Sequence, residues 1–187
     1  MNKFKYSILA LITITGTLFT ACSSDDDAPL PVNEEEVITT LTVTLVPVGG
    51  GATVTLQSRD LDGDGPDVPV ITITGGNLAS SSVYTGSVVL LNETETPAEN
   101  ITTEVEEEDD EHQFFYTTSG SLDLTTSGFN TDGNGNDLGT TFSVTTGAAS
   151  TGSYTVTLRH EPTKPNTGLA DAGGETDISA TFQVTIQ

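Results

Sequence analysis

Apolar and polar residues alternate in nine short runs of this sequence, and glycine, asparagine or aspartate separates most of the runs. The clearest run covers residues 177–186, with apolar residues at every second position: Ile178, Ala180, Phe182, Val184 and Ile186. Successive side chains of a β-strand point to opposite faces of a sheet, so this period of two predicts strands with one buried face.

The nine predicted strands cover residues 37–46, 52–57, 68–74, 82–92, 112–117, 121–126, 140–145, 153–160 and 177–186. The first two flank Gly49-Gly50-Gly51 and predict a hairpin. Many short strands separated by turn residues favour an all-β, immunoglobulin-like β-sandwich. A small barrel is the alternative architecture.

One segment departs from this pattern. Thr96-Pro97-Ala98-Glu99 fits a capping box with proline at the first helical position, and Ile101 and Val105 follow four residues apart. The sequence therefore predicts one short helix over residues 97–107. Acidic residues crowd its C-terminal end, where negative charge opposes the helix dipole, so we expect that end to fray.

The N-terminal segment has the order of a secretory signal peptide. Lys3 and Lys5 precede an apolar run at residues 8–19, and the small residues Thr20 and Ala21 come directly before Cys22. The run is shorter than the ~20 residues that a spanning helix requires. We expect a signal peptide at 1–21, a disordered acidic tether at 22–36 and a single β domain at 37–187.

Residues 18–22, Leu-Phe-Thr-Ala-Cys, resemble the lipobox of bacterial lipoproteins, with Phe19 in the place where leucine is usual. The resemblance implies cleavage after Ala21 and lipidation of Cys22. The following Ser-Ser-Asp-Asp-Asp is similar to the acidic export tag of surface lipoproteins in the Bacteroidetes group. It implies a lipid-anchored protein of the outer membrane that is exposed at the cell surface. A plain solvated tether is the alternative for this tail.

The whole layout resembles a family of small flavobacterial lipoproteins in which an Asp-rich tether precedes a Thr-rich β domain. The stretches that carry the resemblance are 31–40 (PVNEEEVITT), 60–66 (DLDGDGP), 91–94 (LNET), 111–115 (EHQFF) and 158–162 (LRHEP). Some members carry a label for the type 1 periplasmic binding fold. That fold requires repeated strand–helix units, whereas this sequence offers one helix candidate. The family has no activity that the resemblance could carry over to this chain.

Charge restricts the partners of the chain. The formal net charge is −22, and after residue 21 the basic side chains are Arg59, Arg159 and Lys164. A surface this negative repels nucleic acid, which we exclude as a partner, and favours metal cations or basic ligands. Cys22 is the only cysteine, so the predicted domain contains no disulfide.

Two acidic loops are calcium candidates. The first has carboxylates at alternate positions, Asp60, Asp62 and Asp64, and the second has Asn130, Asp132 and Asn134, with Asp137 just beyond. This spacing matches the first half of a calcium loop. Neither loop has glutamate at the twelfth position, so neither is an EF-hand and further ligands would have to come from elsewhere. An ordinary turn is the alternative, since the same residues dominate turns.

The two histidines are transition-metal candidates. His112 shares strand parity with Phe114, and His160 ends an apolar row of its strand. With Glu161, or with Glu111 or Asp177, they could form a nitrogen and oxygen ligand set. A hydrogen-bonded structural histidine is the alternative for each.

No nucleophile or phosphate-binding motif stands out in the sequence. We therefore predict a non-catalytic binding module that captures a ligand or metal, serving an outer-membrane uptake receptor. A calcium-stabilised structural or adhesive module is the alternative.

Overall fold

Ten β-strands in two antiparallel sheets, with two short helices, make up the part of the chain that the computed structural model describes, residues 36–63 and 65–187. The elements are β1 (Thr40–Pro47), β2 (Val54–Arg59), β3 (Val70–Thr74), β4 (Val83–Asn92), β5 (Glu99–Asn100), α1 (Ile101–Glu107), β6 (His112–Gly120), β7 (Leu124–Ser127), β8 (Thr141–Thr146), β9 (Ser150–His160), α2 (Leu169–Ala172) and β10 (Glu175–Ile186). The prediction of a mostly β fold is confirmed.

The larger sheet has the strand order β3-β2-β1-β4-β8-β7, with β5 paired to β4, and the smaller sheet has the order β10-β9-β6. Every ladder in both sheets is antiparallel. β1 and β2 form the expected hairpin, with Val43 opposite Leu56.

One hydrophobic core receives side chains from both sheets. Leu41, Val43 and Leu45 of β1 are fully buried, as are Val156 and Leu158 of β9. Intervening residues of β1 are partly exposed, which is the alternation that the sequence shows. The apolar rows of both sheets therefore point into the same core.

The nine predicted strands correspond to nine of the ten observed ones, and β5 is the addition. The predicted start of the helix is wrong, because Glu99 and Asn100 pair with β4 instead of forming a first helical turn. Asn100 caps α1 by accepting a hydrogen bond from the Thr102 amide. Ile101 and Val105 are buried against the core, as their spacing predicts.

α2 was not predicted from the sequence, since its four residues carry too little periodicity to signal a helix. Within the described ranges, no helix has the length and apolar content required to cross a membrane.

Candidate metal centre

His112 and His160 lie side by side at one end of the smaller sheet. His112 begins β6, His160 ends β9, and the two residues are directly opposite in the antiparallel register. The next core-facing pair in that register is Phe114 and Leu158. The imidazole rings stack with their centroids 4.6 Å apart, and both residues are buried. The two rings thus continue the core-facing apolar row at the point where the strands end.

A β-bulge brings Asp177 to the same place. The register of β10 against β9 pairs Thr176 with Arg159 and Ile178 with Leu158, which leaves Asp177 as the extra residue. A bulge redirects the side chain of the residue that it inserts. The Asp177 side chain is 3% exposed, and its Oδ1 lies 3.8 Å from His160 Nδ1.

Glu36 completes the cluster from the segment that leads into β1. Its side chain is 5% exposed, and its Oε1 lies 3.2 Å from His112 Nε2. The same segment is tied to the larger sheet three residues later, where the Thr39 amide donates to the Leu91 carbonyl at 2.9 Å. Glu36 therefore reaches from a segment held by the larger sheet to a histidine of the smaller one.

The hydrogen bond of His112 Nδ1 shows which ring nitrogen carries a proton. Nδ1 lies 3.2 Å from the carbonyl oxygen of Glu108, at the C-cap of α1. A carbonyl only accepts, so Nδ1 carries the proton and donates it. Nε2 consequently faces the carboxylates of Glu36 and Asp177, at 3.2 and 4.0 Å, with either a lone pair or a second proton.

Two buried atoms lack the partners that buried polar groups normally have. His112 Nε2 and Glu36 Oε2 form no hydrogen bond with any described residue. Glu36 Oε1 lies 3.2 Å from His112 Nε2, but the two atoms form no hydrogen bond. Nε2 is thus a buried ring nitrogen at which a metal ion could be bound.

The four residues can converge on one ion. Glu36, His112, His160 and Asp177, here called the buried centre, each offer a ligand atom, and these atoms lie within 4.8 Å of one another. Ligand atoms placed tetrahedrally at ~2.0–2.1 Å from zinc are separated by about 3.3–3.5 Å. A contraction of up to about 1.5 Å between ligand atoms would therefore bring these side chains into a tetrahedral site.

Charge also favours a cation here. As metal ligands, two ionised carboxylates and two neutral imidazoles would together carry a charge of −2, which a divalent ion would cancel. Burial raises the pKa of Glu104 on α1, and the nearby negative charges of Glu36 and Glu108 raise it further. This end of the domain thus collects carboxylates around the buried imidazoles.

A second group shares His160. Glu111, His160 and Glu161, here called the surface group, also have ligand atoms within 4.8 Å of one another. Glu111 Oε2 lies 3.7 Å from His160 Nε2, whereas Asp177 approaches the other ring nitrogen, and the Glu111 side chain is 51% exposed. The predicted candidate Glu161 therefore belongs to the surface group, whereas His112 belongs to the buried centre.

The first acidic loop lies at the surface. Asp60 is half-buried and Asp62 is exposed, and Asp64 lies outside the described residues. A hydrogen-bonding contact with the Asp62 side chain holds the pKa of Asp60 above its usual value. In the described part of the chain, neither residue belongs to a group that could hold a metal ion. Calcium binding by this loop remains a prediction.

The second acidic loop is closed by a lysine. Lys164 Nζ lies 3.1 Å from Asp132 Oδ2, and both side chains are buried. Asp132 Oδ1 accepts hydrogen bonds from the Asn134 and Asn136 amides. Two further calcium candidates stabilise the turn. The Asn130 carboxamide oxygen accepts two backbone hydrogen bonds, and Asp137 forms a β-bridge with Thr131. Calcium at this loop also remains a prediction.

The chain matches no protein-family model, no curated protein and no solved structure. The predicted lipidation site, Cys22, lies outside the described residues.

Proposed function

We propose that this chain is a non-catalytic, metal-binding β domain whose buried centre holds one divalent transition-metal ion of the zinc type. The observation that carries this proposal is the buried Nε2 of His112. Glu108 holds the opposite nitrogen of the ring, and Nε2 faces two carboxylates with no hydrogen bond to any described residue. A bound ion would supply the missing partner.

The ligand types select the class of metal. Imidazole nitrogen with carboxylate oxygen suits zinc and related transition metals, whereas calcium and magnesium prefer ligand sets made of oxygen atoms alone. Zinc-binding histidines commonly donate their other ring N–H to a carbonyl or carboxylate, as His112 does to Glu108. Zinc is therefore the ion that we test first.

The closed geometry supports a structural role for the ion. The four side chains are at most 5% exposed, and their four ligand atoms would together fill the positions of a tetrahedral site. A catalytic zinc keeps one position open for water or substrate. An ion held here would instead join the leading segment of the larger sheet, through Glu36, to three residues of the smaller sheet.

Zinc binding is expected at one ion per chain. Titration of the purified protein against a chromophoric zinc chelator should give this stoichiometry, and Glu36→Gln should weaken binding by more than ~100-fold, since loss of an outer partner alone costs ~10–100-fold. Asp177→Asn, which is nearly isosteric, should do the same. Neither change leaves a large cavity, so both variants are expected to fold.

Asp60→Asn is the matched control, because it removes one carboxylate charge but no ligand atom of the buried centre. It should leave the zinc affinity of the buried centre unchanged. Equal zinc affinity in the wild type, the Glu36 variant and the control would contradict the proposed site.

We also propose that the domain is displayed on the outer membrane by lipid attached to Cys22. The lipobox-like segment and the acidic tail that follows it support this location. A closed metal site fits the structural or adhesive alternative better than ligand capture for an uptake receptor, because a captured ligand must be released.

We further propose the immunoglobulin-like β-sandwich as the fold class, supported by two antiparallel sheets that share one core.

Location is checked by fractionating cells. Cys22→Ala should release the protein from the membrane fraction, because a lipid anchor depends on that thiol. Ser23→Ala is the control and should stay anchored.

Replacing Asp25, Asp26 and Asp27 together by alanine should keep the protein anchored but protect it from protease added to whole cells. A triple variant as accessible to protease as the wild type would rule out the export role of the tail.

A further inference from the structure

His160 belongs to two groups of ligands at once. Its Nδ1 lies 3.8 Å from Asp177 in the buried centre, and its Nε2 lies 3.7 Å from Glu111 in the surface group. Within the described residues, it is the one side chain common to both groups. An ion held by the surface group would therefore be separated from the buried centre only by the width of this ring.

The backbone holds the surface group together. The Glu161 amide donates to the Glu111 carbonyl at 2.6 Å, so the residue after β9 and the residue before β6 are adjacent. Glu161 has a φ of 47°, in the left-handed region that glutamate seldom adopts. Both glutamates are exposed, whereas the ligands of the buried centre are not.

We propose that the surface group is the loading site of the buried centre: a hydrated divalent ion binds first to Glu111, Glu161 and His160 Nε2, and then passes to His160 Nδ1 and the buried ligands. A neutral imidazole binds an ion through one nitrogen and carries a proton on the other. As the ion moves, the proton on Nδ1 therefore leaves to water, and Nε2, beside the exposed Glu111, takes up a proton from solvent. This inference rests on the proposed function. A metal site whose ligands are all buried requires a path by which the ion enters. Exposed carboxylates replace part of the hydration shell before the ion reaches the protein interior.

A loading site changes rates without changing the final bound state. Loss of the two glutamate charges should therefore slow zinc association and zinc release by the same factor. If Glu111 served only to orient His160, the equilibrium affinity would fall instead, as it does when an outer partner of a ligand is removed. Rates and affinity measured together distinguish the two roles.

The test uses stopped-flow transfer of zinc from a chromophoric chelator to the purified protein, with equilibrium affinity measured in parallel. The variant Glu111→Gln/Glu161→Gln should associate at least about tenfold more slowly than the control Glu107→Gln/Asp110→Asn. The control lies on the same exposed acidic run and makes the same change in net charge, so it corrects for electrostatic attraction of the ion, which alone can alter association about tenfold or more. The affinities of both variants should match the wild type.

Equal association rates in the two variants would overturn the loading site while leaving the buried centre intact. A loss of affinity at an unchanged association rate would also overturn it, because the glutamates would then position His160. A wild-type protein that binds no zinc would overturn the proposed function itself, which is a different result from either of these.

Discussion

Zinc is expected to raise the melting temperature of the purified protein by about 8–16 °C, and a chelator should reverse the effect. An ion that binds only the native state at 1,000 times its dissociation constant contributes ~4 kcal/mol. For a chain of this size, each kcal/mol corresponds to about 2–4 °C. The physical reason is that Glu36 and the three ligands of the smaller sheet are brought together only in the folded protein.

Differential scanning calorimetry at fixed protein concentration measures this shift. Magnesium at equal ionic strength is the control, because the net charge of −22 means that any divalent ion screens repulsion to some extent. Glu36→Gln should lose the difference between zinc and magnesium. The same shift with both ions would show that screening alone is at work.

Lys164→Met is expected to destabilise the protein by about 3–5 kcal/mol, the usual cost of removing one partner of a buried ion pair. Lys164 Nζ lies 3.1 Å from Asp132 Oδ2 and donates to the Asp109 carbonyl at 2.7 Å. Burial tends to raise the pKa of Asp132, but hydrogen bonds from Asn136 and Lys164 outweigh it and lower that pKa. Without Lys164, the buried charge on Asp132 keeps its hydrogen bonds from Asn134 and Asn136 but loses its cationic partner.

Urea denaturation followed by circular dichroism gives the free energy of unfolding. Arg59→Gln is the matched control, because it breaks the pair that Arg59 forms with Glu93, whose side chains are 43% and 24% exposed. It should cost far less than the lysine substitution. Adding Asp132→Asn to Lys164→Met should recover part of the loss. Equal effects of the two single substitutions would mean that the buried pair contributes no more than a surface pair.

Strand positions followed from the sequence because period-two alternation is a local property. The strand with Ile178, Phe182 and Ile186 on one face is β10. Phe182 and Ile186 are buried, and the partly buried Ile178 packs against the core. The start of α1 could not be read locally. Thr96 to Glu99 fits a capping box, yet pairing of Glu99 and Asn100 with β4 moves the helix start to Ile101.

The candidate site was predictable in part. Strand parity placed His112 and His160 at the ends of apolar rows, and the register then brought them face to face. The bulge at Asp177 depends on how β10 pairs with β9, which the sequence does not reveal. Glu36 was assigned to the acidic tether, since a glutamate beside Glu34 and Glu35 carries no local signal of burial.

For the acidic loops, residue spacing alone does not distinguish a metal site from a turn. The spacing of Asn130, Asp132 and Asn134 is the same in a calcium loop and in a hydrogen-bonded turn. Here Lys164, 32 residues further along the chain, places its ammonium against the Asp132 carboxylate. Local spacing cannot anticipate a cation that comes from a distant loop.

X-ray absorption at the zinc edge of the purified, zinc-loaded protein tests the central claim most directly. The buried centre predicts a shell of four nitrogen and oxygen ligands at ~2.0–2.1 Å, with the outer scattering of two imidazole rings. Asp177→Asn should weaken or abolish this signal, and Asp60→Asn should leave it unchanged. A shell made of oxygen atoms alone, without imidazole scattering, would place the ion on surface carboxylates and contradict the proposed centre.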